Sequence, residues 1–165
     1  MRIPVLIGLA IIALTGAAKA APAVTRTGAP TAPIAATVMV PPGYATVYVS
    51  GMTPPTLTPD APRDSAASYG DTQAQTVGAL RRIEDALKGQ GCSLADVVMM
   101  HVYLAGDPAK GNKMDFDGMM AGYRQFFGTP AQPNKPARST VQVAALVSPA
   151  ILVEIEVIAA RPPSP

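Results

Sequence analysis

One arginine and two glutamates near the end of the chain are the residues best suited to chemistry. Arg138 stands in the run Pro136-Ala137-Arg138-Ser139, and Glu154 and Glu156 stand in a second, largely apolar segment after a short turn. A guanidinium recognises a carboxylate well, because its planar fork makes two parallel charge-assisted hydrogen bonds. The arginine therefore indicates recognition of a carboxylate-bearing ligand, and the paired glutamates need a separate explanation.

Two alternating segments position these charges. Side chains on a strand point to opposite faces with period two, so Arg138 and Thr140 share one face and Ser139 lies on the other. In the second segment an apolar row requires a core, and Glu154 and Glu156 share the opposite row. The pattern predicts one cation and two anions on neighbouring strands. It leaves two interpretations of Arg138 open, since the arginine either binds a ligand or only neutralises a glutamate across the strand pair.

Six motifs in a fixed order cover much of the chain, and about 114 of the 165 residues lie between the first motif and Ala160. They are Val47-Tyr48-Val49-Ser50-Gly51, Thr72-Gln73-Ala74-Gln75-Thr76, Gly91-Cys92-Ser93-Leu94-Ala95-Asp96-Val97-Val98, Tyr123-Arg124-Gln125-Phe126-Phe127, Pro136-Ala137-Arg138-Ser139 and Val153-Glu154-Ile155-Glu156-Val157-Ile158. Several spaced motifs are more specific than any one of them. Together they resemble the RidA/YjgF family of enamine and imine deaminases, also described as endoribonuclease L-PSP-like.

The resemblance implies a role for each charged residue. Arg138 falls on the family's substrate-carboxylate arginine, and Glu154 falls on the glutamate that orients or activates the attacking water. Glu156 is implied to be a partner that holds charge and geometry. The other residues implied to bind substrate are Ser50, Gly51, Ser139 and Thr140.

The implied activity is hydrolysis of 2-aminoacrylate-type enamines and 2-imino acids to 2-keto acids and ammonia, as in a 2-iminobutanoate/2-iminopropanoate deaminase. The site must hold the carboxylate, steer one water and assist proton transfer. No metal, flavin, nicotinamide or pyridoxal cofactor is implied. The chain also departs from the family, with Thr140 at a position that is commonly Cys and Ala32-Pro33-Ile34-Ala35-Ala36 where the family has a cleft-closing tyrosine.

These departures keep open a second function, a non-catalytic trimeric binding module for small carboxylates. The resemblance implies a third possibility, a client-binding role like that credited to some relatives, which requires an exposed apolar patch. His101 is interpreted as a structural residue of its strand rather than as an acid or base.

The order of elements predicts an α+β fold. We expect strands at residues 44–50, 97–104, 136–143 and 151–160, and a long loop at 52–69. A helix is expected from a capping box of Thr72 and Gln75, and a second helix from Asp115 to about 128, after a polar insert at 106–113. The resemblance implies a chorismate-mutase-like single mixed β-sheet with two helices packed on one face, in a homotrimer with a central β-barrel.

The N-terminus predicts export. Residues 1–20 read as a signal peptide, with an apolar run from Ile3 to Leu14 and an Ala18-Lys19-Ala20 cleavage site. Residues 21–42 read as an irregular lead with at most one strand, and residues 43–162 as the RidA-like domain. The expected localisation is periplasmic or secreted.

Signal cleavage also changes the charge balance. Loss of Arg2 and Lys19 reduces the 13 basic residues to 11, which equals the number of acidic residues. A neutral chain has no electrostatic footprint for nucleic acid or for an anionic membrane surface. The resemblance implies a small carboxylate and two further copies of the chain as partners, and no membrane attachment is expected after cleavage.

Overall fold

The structure is a computed structural model that describes residues 22–62 and 64–163. Its strands are β1 (Thr25–Thr27), β2 (Thr37–Met39), β3 (Ala45–Met52), β4 (Val97–Leu104), β5 (Ala137–Gln142) and β6 (Val153–Arg161). Its helices are α1 (Ala66–Tyr69), α2 (Thr72–Lys88) and α3 (Phe116–Tyr123). Strands β1 and β2 form a separate ribbon, and the other four strands form one mixed sheet. This is the predicted α+β fold, with α2 and α3 packed together on one face of the sheet.

The order of strands in the sheet is β3-β6-β4-β5. Strand β6 runs antiparallel to both of its neighbours, and β5 runs parallel to β4. The prediction that the strands of Arg138 and Glu154 are neighbours is therefore wrong, because β4 lies between β5 and β6. The ten-residue connection from Gln142 to Val153 is long enough to cross the end of β4.

The position of β6 follows from its composition. Its inward row, from Val153 to Ala159, is at most 2% exposed and packs in the core with α2. A strand this apolar is most stable in the interior of a sheet, whereas the polar strand β5 tolerates an edge. The predicted apolar row is confirmed, and only the predicted neighbour of β6 is wrong.

Direct strand pairs show which side chains share a face. Arg138 pairs with Met100, which pairs with Val157, and all three side chains point toward the helices. Glu156 pairs with His101 on the opposite side of the sheet, which we call the outer face. Arg138 therefore does not neutralise Glu154 or Glu156 within the chain.

Helix α2 begins differently from the prediction. Its N-cap is Asp71, whose Oδ1 accepts a hydrogen bond from the Ala74 nitrogen at 2.8 Å. Gln75 is fully buried and bonds instead to the distant β5–β6 connection, where its Nε2 donates to the Ala150 oxygen and its Oε1 accepts from the Leu152 nitrogen. The predicted capping box is therefore wrong, because Gln75 stabilises a long-range contact rather than the helix terminus.

Three other segments differ from expectation. The lead contains two paired strands, β1 and β2, rather than at most one. The predicted loop at 52–69 ends in one helical turn, α1. Helix α3 begins after the N-cap Asp115 as predicted, but it ends at Tyr123 and continues as turns to Gly128.

The insert at 106–113 folds as a closed turn. Asp107 caps a short 3₁₀ helix, Pro108–Lys110, and its backbone nitrogen donates to the Lys113 oxygen at 3.0 Å. Gln142, at the end of β5, donates to the Asn112 oxygen and accepts from the Met114 nitrogen. The insert is therefore fixed to the strand that carries Arg138.

The predicted signal peptide lies outside the described residues. Within residues 22–62 and 64–163, no helix is long and apolar enough to cross a membrane.

Replacing Gln75 by Leu should destabilise the fold by about 2 to 4 kcal/mol, because the Ala150 oxygen and the Leu152 nitrogen would be buried without a partner. Urea unfolding measures the loss. The matched control is Gln73→Leu at an exposed position of the same helix. Equal stability of the two variants would contradict the assigned role of Gln75.

Candidate functional site

Arg138 is half-buried against α3. Its Nη2 lies 3.1 Å from the Sδ of Met120, its Nη1 lies 3.9 Å from the Sδ of Met119, and its Cζ lies 4.4 Å from the ring centroid of Tyr123. A guanidinium over an aromatic ring is attracted by the negative face of the ring. The arginine is thus held by a ring and two thioethers rather than by a carboxylate.

The electrostatic environment of Arg138 favours an incoming anion. Burial lowers the pKa of Arg138, the nearby Tyr123 partly opposes this shift, and repulsion from Arg124 lowers the pKa further. No carboxylate of the described residues forms a salt bridge with Arg138. The negative charge of a bound carboxylate would favour the charged form of Arg138 and so offset both the cost of desolvation and the repulsion.

Tyr123 is itself fixed on several sides. Its hydroxyl donates to the Pro33 oxygen at 3.0 Å, and its ring stacks on Phe127 at 4.9 Å. Burial raises the pKa of Tyr123 to about 12, although the Arg138 charge acts in the opposite direction. Pro33 belongs to the segment 32–36, and its bond to Tyr123 places this part of the lead near the arginine.

Thr140 lies two residues beyond Arg138 on the same side of the sheet. Its hydroxyl oxygen is buried and has no hydrogen-bond partner among the described residues. A hydroxyl can donate one bond and accept two, and leaving it unpaired in a buried position is unfavourable. The hydroxyl is closed to solvent within the single chain, so the predicted contact of Thr140 with a substrate stays a prediction.

Glu154 occupies the outer face, across β4 from Arg138. Its carboxylate lies against Gly51, where an added Cβ would clash with the glutamate Oε1 and lie 2.9 Å from its Cδ. A larger residue at position 51 would therefore displace the Glu154 carboxylate from its present place. Glu154 accepts no hydrogen bond from the described residues, so its oxygens remain available to a water or a ligand.

Glu156 differs from Glu154 in its partners. Its Oε1 lies 2.9 Å from His101 Nδ1 and accepts a hydrogen bond from the Tyr103 hydroxyl at 3.1 Å. The hydrogen bond to Glu156 raises the pKa of Tyr103. These two partners were not predicted, although alternation along β4 places His101 and Tyr103 on one face.

The remaining predicted residues also lie on the outer face. Ser139 is exposed and pairs in register with His101. Ser50 lies at a bulge of β3 and lines a shallow depression with Tyr48 and Glu156. The predicted site residues therefore form two groups on opposite sides of the sheet, Arg138 with Thr140 and Glu154 with Ser50, Gly51 and Ser139.

Comparison with known proteins identifies the class. Residues 29–161 match the model of the endoribonuclease L-PSP family, and the match begins within the N-terminal lead. The chain belongs to this family, whose members also carry the YjgF and RutC names. The resemblance found in the sequence is thereby confirmed at the level of the family.

Two relatives illustrate the similarity. A RutC family protein from Sulfurisphaera tokodaii is 35% identical over 116 residues, which cover 70% of this chain and 80% of that protein. The 3-aminoacrylate deaminase RutC of Acinetobacter baylyi is 33% identical over 113 residues, which cover 68% of this chain and 77% of that protein.

Solved structures share the fold. A YjgF/YER057c/UK114 family member from Mycobacterium tuberculosis is 34% identical, with a TM-score of 0.51 over 76% of this chain and 85% of that chain. E. coli TdcF with bound serine is 27% identical, with a TM-score of 0.55 over 83% of this chain and 98% of that chain.

Replacing Tyr123 by Phe should change how stability depends on alkaline pH. The folded-state pKa is raised to about 12, so the neutral hydroxyl stabilises the fold below the ordinary tyrosine pKa of about 10, and this contribution is lost as pH rises toward 12. The wild type should lose on the order of 2 kcal/mol relative to the variant over that range, measured by urea unfolding. A pH-independent difference would refute the assignment, and Tyr44→Phe controls for loss of a tyrosine hydroxyl.

Proposed function

We propose that this protein hydrolyses reactive enamines and imines of the 2-aminoacrylate type to 2-keto acids and ammonia. The observation that carries the proposal is a half-buried guanidinium, Arg138, that has no carboxylate partner among the described residues. The named activity of the Acinetobacter baylyi relative, deamination of 3-aminoacrylate, supports the reaction class.

The chemistry requires few groups. An enamino acid tautomerises to its imine, water adds to the imine carbon, and cleavage of the carbon–nitrogen bond releases ammonia and leaves the 2-keto acid. Arg138 binds the substrate carboxylate through its fork. Glu154, which accepts no hydrogen bond from the described residues, orients the water and accepts its proton. Glu156 is held by two donors and maintains the geometry beside it.

Arg138 and Glu154 do not reach one ligand from a single chain, because they point to opposite sides of the sheet and β4 separates their strands. A second copy resolves this separation by placing its outer face against the arginine side of the first. We therefore assign the cleft to the interface between subunits of a homotrimer. The exposed Tyr48 and Val141 on the outer face are consistent with burial in such an assembly.

The compartment is part of the proposal. The apolar N-terminal run supports export to the periplasm or beyond. Oxidation of amino acids outside the cytoplasm would supply 2-imino acids there. The true substrate is thus expected to be an imine of a small amino acid, such as 2-iminopropanoate or 2-iminobutanoate.

Activity is measured by generating 2-iminopropanoate with an amino-acid oxidase and following its disappearance. We expect the wild type to accelerate hydrolysis, Arg138→Ala to lower kcat/KM by on the order of 100-fold, and Glu154→Gln to lower kcat by about 10² to 10⁴-fold. The matched control is Glu84→Gln, on the surface of α2. Absence of acceleration by the wild type, or full activity of Arg138→Ala, rejects the proposal.

Mixing the two inactive variants tests the shared cleft directly. If Arg138 and Glu154 come from different subunits, trimers reassembled from equal amounts of Arg138→Ala and Glu154→Gln chains carry both intact residues in about one quarter of their clefts. Activity should therefore return to about one quarter of the wild-type value after the mixture is unfolded and refolded together. No recovery in confirmed mixed trimers places both residues in one subunit.

A binding module is the second candidate, and Thr140 together with the substituted segment at Pro33 favours it. It predicts saturable, Arg138-dependent binding of 2-keto acids in calorimetry without accelerated imine hydrolysis. The same two measurements therefore separate the two functions.

A further inference from the structure

The contacts of Arg138 share one chemical property. Met119, Met120 and Tyr123 all touch the guanidinium, and none of them offers it an oxygen acceptor at these contacts. Thioether sulfur is a weak acceptor, and an aromatic face attracts the cation without using the N–H bonds of its edge. The arginine is therefore oriented by contacts that compete weakly with a carboxylate.

A count of donors supports this description. A guanidinium has five N–H donors, of which one on each terminal nitrogen faces a sulfur. The other three have no partner among the described residues. Nε has no partner among the described residues and is not a buried atom, and the Arg138 residue as a whole is half-buried, so this edge of the guanidinium is accessible from outside the chain.

The support beneath the arginine is rigid. Tyr123 is 1% exposed, its hydroxyl is bonded to Pro33, and its ring stacks on Phe127. Met119 is fully buried and Met120 is 3% exposed. A long arginine side chain normally loses much rotamer freedom on binding, and ordering it in advance reduces that cost.

We infer that Tyr123, Met119 and Met120 are positioning residues, which hold the Arg138 guanidinium in place while leaving its fork open for a ligand carboxylate. The inference rests on the proposed function, which supplies the identity of the ligand. It differs from that function because it concerns the orientation of the arginine and does not require turnover.

An intramolecular carboxylate would hold the arginine more strongly, but it would occupy the same two donors that the ligand needs. The sulfur and ring contacts avoid this competition. Thus Met120→Glu, which would place a carboxylate beside Nη2, should abolish binding of a ligand carboxylate even where the variant folds.

The test uses the assembled protein, with pyruvate as the probe in titration calorimetry. Tyr123→Leu should weaken binding by about 3- to 30-fold, because it removes the ring beneath the cation. Tyr123→Phe keeps the ring and should remain within about twofold of the wild type. The double variant Met119→Leu/Met120→Leu keeps the volume, removes both sulfurs and should weaken binding by roughly threefold.

Two controls separate positioning from damage to the fold. Met114→Leu is the matched methionine control, since Met114 packs against the core and does not touch the guanidinium. Melting temperatures identify variants that fail to fold. In the hydrolysis assay, Tyr123→Leu should raise KM with little change in kcat, because the substrate carboxylate is bound before and during the reaction.

The outcomes are distinguishable. Wild-type affinity in folded Tyr123→Leu overturns the inference, as does equal weakening by Tyr123→Phe and Tyr123→Leu. If Tyr123→Leu does not fold, unchanged affinity of the double methionine variant overturns it. Absence of Arg138-dependent pyruvate binding in the wild type overturns it as well. Binding that follows the expected order without imine hydrolysis supports the inference and rejects only the proposed reaction.

Discussion

The interior position of β6, with β3 paired along one edge and β4 along the other, is the constraint on which the rest of the structure depends. Its apolar row must face the helices, so the two-residue period forces both glutamates onto the outer face. The polar strand β5 is displaced to the edge by the same preference, with β4 between them. The separation of Arg138 from the glutamates is therefore a consequence of core formation and not of a local feature of the site.

Alternation along single strands was predictable, and the relation between strands was not. The sequence placed Arg138 and Thr140 on one face correctly, because that follows from local geometry. Which residues lie beside Arg138 on that face depends on the order of the strands, because an intervening strand changes the neighbours of every residue on β5. The His101–Glu156 pair has the same origin, because it needs the register of two strands that lie 55 residues apart.

A prediction from a local motif was wrong where the side chain bonds to a distant part of the chain instead. Thr72 and Gln75 have the spacing of a capping box, yet Asp71 caps the helix and Gln75 bonds to residues 75 and 77 positions later. A buried backbone amide without a partner is more costly than an uncapped helix terminus exposed to water. The contacts of Met119, Met120 and Tyr123 with Arg138 were not predicted for a related reason. The methionines of α3 fit an ordinary core pattern, and only the three-dimensional packing brings their sulfurs to the guanidinium.

The two glutamates show how one row can contain different functions. Glu156 is hydrogen-bonded to His101 and Tyr103, so its carboxylate has partners within its own chain. Among the described residues, Glu154 lies on Gly51 without a hydrogen-bond donor, and Arg138 lies on the other side with two sulfurs and a ring but no carboxylate. Each unmatched group therefore gains its complement only from outside its own chain. In the homotrimer that we propose, each interface would bring Arg138 and Glu154 to one ligand, so the charges left open by the fold would favour assembly and ligand binding together.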